Sequence, residues 1–163
     1  MKQAPDHLPD GRGLRAAVLR SSFNSRVVDG LLDGARLALS EMGLEPDRIA
    51  VVDVPGAFEL PLAARAAAVS GRFDAIVALG AVIRGETDHY EHIAREAAAG
   101  LAAVARETGV PVGFGVLTVT DESHALARSA PGPENKGREA ARAAIAMVEV
   151  LRRLGPEDAG AGE

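Results

Sequence analysis

The stretch FDAIVALGAVIRGETDH, residues 73–89, runs from an apolar segment straight into a polar turn. An apolar run with so little polar alternation predicts a strand over Phe73–Ile83 covered on both faces, as in a parallel sheet. An alanine-rich helix is expected next, from Thr87 to Thr108, ended by Gly109. The same strand-then-helix unit recurs on either side. Upstream, Leu14–Leu19 and Ile49–Val54 read as strands. The first leads into a helix through Val28, Leu31, Leu32, Ala35 and Leu39, capped by Asn24 or Ser25 and stopped by Gly43. The second leads into a helix over Glu59–Val69, with Pro61 in its first turn. Downstream, Val112–Val119 is a fourth strand, Glu122–Arg128 a short helix and Lys136–Leu154 a final amphipathic one. Strands alternating with helices define an α/β class, four parallel strands with helices on both faces. Ligands in such sheets bind beyond the carboxyl ends of the strands. Chemistry is therefore expected at Ser21–Ser25, Pro55–Glu59, Arg84–His89 and around Phe114–Thr120.

A chain of 163 residues accommodates one domain, here placed at 14–154 between a flexible arm over 1–13 and a disordered tail over 155–163. The 18 Lys and Arg against 23 Asp and Glu give a net charge of −5, which opposes general affinity for nucleic acid or an anionic membrane. Any phosphate site must then be local. The absence of cysteine excludes disulfides, thiolate nucleophiles and Cys-ligated metal clusters. No window of ~20 residues is free of charge, so no membrane span is expected. The opening MKQAPDHLPDGRG lacks the basic start and apolar stretch of a secretory signal, and a cytoplasmic location is expected.

Arg84–His89 lies where a strand turns into a long helix. Gly85 permits a tight turn, and the free amides of the helix start form an anion site suited to a small phosphate. The same residues also read as a capped helix, with Thr87 or Asp88 as cap and Glu91 completing a capping box. Neither GxxxxGK[ST] nor GxGxxG occurs, which disfavours a nucleoside triphosphate or dinucleotide. His89 is the one histidine just past a predicted strand end, where an imidazole moves protons near neutral pH. His89 and His92 have no evident third metal ligand, so no metal is expected. Phe23, Phe58 and Phe114 are either stacking surfaces for a planar ligand or ordinary packing. Glu59 either matches a helix dipole or receives hydroxyl donors from a polyol. Arg128 with Asn135-Lys136-Gly137 either binds an anionic substrate or forms a solvated surface.

Five segments together resemble the lumazine synthase (6,7-dimethyl-8-ribityllumazine synthase) family. They are Phe23-Asn24, Pro55–Pro61 (PGAFELP), Gly80–Thr87 (GAVIRGET) with His89, Pro111–Thr118 (PVGFGVLT) and Asn135-Lys136-Gly137. The resemblance implies a flavodoxin-like domain that uses no cofactor. The implied reaction condenses 5-amino-6-ribitylamino-uracil with 3,4-dihydroxy-2-butanone 4-phosphate, releasing phosphate and water in riboflavin biosynthesis. It further implies that Phe23 stacks on the pyrimidine and Glu59 bonds the ribityl chain. Ala57, Phe58, Val82, Ile83, Phe114 and Lys136 complete that pocket, with Phe114 and Lys136 at a subunit boundary. Gly85, Glu86 and Thr87 hold the phosphate with Arg128, and His89 shuttles protons. A homopentamer or a multiple of it is implied, together with a possible association with riboflavin synthase. Asp88 departs from the family pattern, since a neutral residue commonly stands beside the histidine. Two other readings are a flavin- or lumazine-binding storage shell of the same fold without turnover, and a flavodoxin-like electron carrier. The carrier reading lacks the ring-stacking Trp or Tyr and the acidic binding surface expected of it.

Overall fold

Ladders form where the apolar runs lie. A computed structural model describes residues 7–157. Strands β1 (Ala16–Ser21), β2 (Ile49–Val54), β3 (Ala75–Ile83) and β4 (Val112–Val119) make one sheet in the order β2-β1-β3-β4, every pair parallel. Between and after them run α1 (Ser25–Glu41), α2 (Leu60–Val69), α3 (His89–Thr108), α4 (Glu122–Ser129) and α5 (Lys136–Leu154). Successive residues of a strand point to opposite faces, and the two cores follow that alternation. Ala16, Val18, Val77 and Leu79 pack with α1 and α5, whereas Ala17, Leu19, Ile76 and Ala78 pack with α2 and α3. This is the expected α/β architecture, helices covering both faces.

Several boundaries move for identifiable reasons. β1, expected over Leu14–Leu19, is shifted two residues onward. Leu14 is core, but its amide turns back to the Gly11 carbonyl, and the ladder continues through Arg20 and Ser21 to Asp53 and Val54. The charge at Arg20 is tolerated because Asp29 and Asp53 both pair with its guanidinium. β3 begins at Ala75 rather than Phe73, since Asp74 closes a turn on Arg15: its carboxylate accepts from the Arg15 amide at 2.8 Å and its amide donates to the Arg15 carbonyl at 2.8 Å. α3 starts at His89 rather than Thr87, and Ala57–Glu59 forms a separate 3₁₀ turn before α2. α4 extends one residue past Arg128, and β4 and α5 fall where expected.

Of the arm expected over 1–13, residues 1–6 lie outside the described residues, as do 158–163 of the expected tail. Residues Asp10 and Gly11 are tied to the domain. The Asp10 amide donates to Glu149 Oε1 in α5 at 2.7 Å, and the Gly11 amide to the Met42 carbonyl at 2.7 Å. No described helix is long and apolar enough to cross a membrane. The functionally decisive feature of the topology is the reversal of strand order between β1 and β3. The connection from β1 runs outward to β2, and the chain then returns to lay β3 on the other side, so a crevice opens at the carboxyl ends of β1 and β3.

Candidate active site

The ladder between β1 and β3 ends at Arg20 opposite Leu79, and the two strands then diverge. A cleft of about 400 Å³ opens there, within the usual size of a small-molecule site. Three loops wall it. The first contributes Phe23 and Asn24, the second Gly56 to Glu59, and the third Val82, Ile83, Gly85, Thr87 and His89, with Tyr90 and Ile93 from α3. Asn24 is the one described non-glycine residue with positive φ, at 55°. Asparagine tolerates this left-handed region better than most residues, and here the conformation lets its Nδ2 donate to the Ala81 carbonyl at 2.9 Å. The first and third walls are thereby joined. Ser22 joins the first to the second, its amide and hydroxyl both donating to the Val54 carbonyl. Gly56 allows the close approach of the walls: a Cβ there would stand 3.2 Å from Glu59 Oε2 and 3.4 Å from Phe23 Cδ2.

Helices α1, α2 and α3 all begin at this cleft, and none of the three has a side-chain hydrogen bond at its cap. Helices α4 and α5 begin elsewhere and are capped, by Asp121 and Asn135. Asp88 occupies the cap position of α3 without capping it. The nearest substitute is Thr87, whose hydroxyl accepts from the His89 amide at 3.4 Å, a long contact. Uncapped first-turn amides carry the positive end of the helix dipole and attract anions, although at α2 the Glu59 and Leu60 amides are spent on the preceding 3₁₀ turn and Pro61 has none. Of the two candidate caps Thr87 alone makes a contact, and Asp88 forms no side-chain cap bond. At α4, by contrast, Asp121 is held below its ordinary value of 3.8, chiefly by the Ser123 hydroxyl and then by the Ser123 amide.

A family model described as 6,7-dimethyl-8-ribityllumazine synthase matches residues 13–152 of this chain. The chain belongs to the lumazine synthase family. It is thereby placed among riboflavin-biosynthesis enzymes with transferase activity at family level, and the match spans the whole sheet and nearly all of α5.

The structure brings together most of the residues that the lumazine synthase resemblance singles out. Phe23, Ala57, Phe58, Glu59, Val82, Ile83, Gly85, Thr87 and His89 all line the cleft. Phe23 and Phe58 are 71% and 56% exposed, so neither ring is ordinary core packing. Glu86 is exposed and is not part of the lining. Phe114, Arg128 and Lys136 are also outside the cleft of their own chain. Phe114 stands on the edge strand β4 opposite Ala78, with its ring 50% exposed. Arg128 donates to the His124 carbonyl within α4 at 3.0 Å, and Lys136 pairs with Glu139 within α5 at 2.5 Å.

Two residues that the sequence does not mark, Tyr90 and Ile93, join the cleft, and two that it marks, Asn24 and Asn135, have bonds that it does not foretell. Tyr90 and Ile93 line the cleft, and their signal was helical spacing, since Ile93 falls one turn after His89 on the same face. The guanidinium of Arg84 lies 5.8 Å from the Tyr90 ring centroid. Asn24 reads from the sequence as a cap and as part of the Phe23-Asn24 segment, but nothing local signals its side-chain bond to a strand 57 residues away. Asn135 reads from the sequence as part of the basic cluster, yet it is 2% exposed and its side chain lies within hydrogen-bond distance of four backbone groups, with the two Nδ2 hydrogens shared among three carbonyls.

Proposed function

We propose that this chain condenses 5-amino-6-ribitylamino-uracil with 3,4-dihydroxy-2-butanone 4-phosphate to form 6,7-dimethyl-8-ribityllumazine, releasing phosphate and water. The observation that carries the reading is the convergence of the uncapped starts of α1 and α3 on one cleft that also holds two exposed phenylalanine rings. A planar, uncharged heterocycle suits the rings, and a phosphate ester suits the amides. Glu59, beside Phe23, accepts hydroxyl hydrogens from the ribityl chain. Gly85 and Thr87 hold the phosphate, and His89 carries protons during imine formation and phosphate departure. Neither step requires a metal or a thiol; proximity, an anion cradle and a proton carrier suffice.

Phe114, Arg128 and Lys136 stand outside the cleft of their own chain, and in this reading they complete the cleft of a neighbouring copy. A head-to-tail contact of that kind closes into a ring, here a homopentamer or a multiple of pentamers. Cytoplasmic location and an association with riboflavin synthase belong to the same reading. The test is to mix the purified protein with both substrates and follow lumazine fluorescence and free phosphate together. Equal appearance of the two supports the proposal. Tight binding of lumazine with no phosphate release would point to a storage shell, and neither signal would overturn the assignment.

A further inference from the structure

We propose that Asn135 is a positioning residue, whose single buried amide sets where the Arg128 and Lys136 cations stand. The inference rests on the substrate-binding roles given above to those two cations.

Asn135 opens α5, a place where an asparagine cap is usually wet, yet it is 2% exposed. Its Nδ2 donates to the Ser129 carbonyl at 2.9 Å and the Ala130 carbonyl at 3.1 Å, the open end of α4. The same nitrogen reaches the Gly30 carbonyl in α1 at 3.0 Å, and Oδ1 accepts from the Arg138 amide at 3.1 Å. One side chain therefore ends α4, starts α5 and fastens both to α1. Helix α1 leaves room for it: a Cβ at Gly34 would collide with the Asn135 amide, and one at Gly30 with the Ser129 carbonyl. Arg128 stands one residue before Ser129, and Lys136 one residue after Asn135. The connecting Ala130–Glu134 segment is stiffened by Pro131 and Pro133, but it holds itself to the helices weakly: among the described contacts is one backbone bond, from the Asn135 amide to the Gly132 carbonyl at 3.2 Å. The amide anchors both ends of this short stiff connection to α1 and so sets the spacing of the two cations, and binding geometry of this kind is held by such supporting contacts.

The test uses the assembled protein and two readouts: inorganic phosphate affinity by titration calorimetry, and KM for each substrate. Asn135→Ser keeps a capping oxygen for α5 but removes the Nδ2 donors. Gly34→Ala leaves Asn135 in the chain and displaces its amide. Each is expected to weaken phosphate binding by ~10-fold, as loss of a charge-assisted bond does. Each should also raise KM for both substrates with kcat held, and add nothing further to the phosphate effect of Arg128→Ala. A merely structural residue would lower the folded fraction and leave affinities alone, and that result, or additive effects with Arg128→Ala, would overturn the proposal. Should Asn135→Ser fail to fold, Gly34→Ala decides. Non-additive phosphate binding in a protein without turnover would retain the role of Asn135 and reject the proposed reaction.

Discussion

His89 occupies the first position of α3, where it lines the cleft beside Gly85 and Thr87 and takes no part in either core. His89→Ala is therefore expected to lower kcat by ~100-fold, the usual worth of a general acid–base group, with an unchanged sedimentation profile. Wild-type kcat across neutral pH would remove the proton-transfer role. Arg128→Ala should raise KM for the butanone phosphate by ~10-fold or more while KM for the pyrimidine stays put, because only one substrate carries the charge. Equal losses would mark a structural arginine. Much of this was legible from the residues. Few rings are present, and two of the exposed ones follow strand ends, which singled out Phe23 and Phe58. Asn24 and Asn135 were less legible, because their importance lies in bonds to carbonyls far along the chain or buried from solvent.

Helix α5 packs on α1 with almost no space between backbones: a Cβ at Gly137 would strike the Leu31 carbonyl. Because a carbonyl in a helix cannot swing aside, Gly137→Ala is expected to destabilise the fold by about 1–3 kcal/mol, the range for overpacking, read as a lower urea midpoint. An unchanged midpoint would show that the helices separate freely. At α4, Asp121 is depressed below 3.8 by its bonds to Ser123, so its contribution is present above that value and is lost as pH falls through the folded-state pKa. Protection of the α4 amides, taken relative to the intrinsic exchange rate at each pH, should accordingly fall slightly below about pH 4, the ordinary carboxylate range, and Asp121→Asn should flatten that dependence. Helix and strand types were readable because each strand is apolar on both faces and each long helix is amphipathic. Strand ends were harder, since pairing, not hydropathy, decides them. Arg20 continues β1 because two aspartates neutralise it, and Asp74 delays β3 because it closes a turn on Arg15.

At the scale of the whole molecule, the strand order β2-β1-β3-β4 places the cleft, and no arginine or lysine is among its described lining residues. A phosphate substrate held only by helix amides would be weakly bound, which is the physical reason the proposed reading draws Arg128 from a neighbour. The exposed Phe114 on edge strand β4 supplies an apolar contact for the same boundary. Sharing of the site can be tested directly by coexpressing two crippled chains, His89→Ala and the double variant Arg128→Ala/Lys136→Ala, and measuring kcat/KM of the mixed particles. In a head-to-tail ring assembled at random, about a quarter of the sites receive an intact His89 from one copy and intact cations from the next. The account predicts recovery to about that fraction of wild-type activity, far above either parent. Activity no greater than the average of the two parents would contradict a site built between copies.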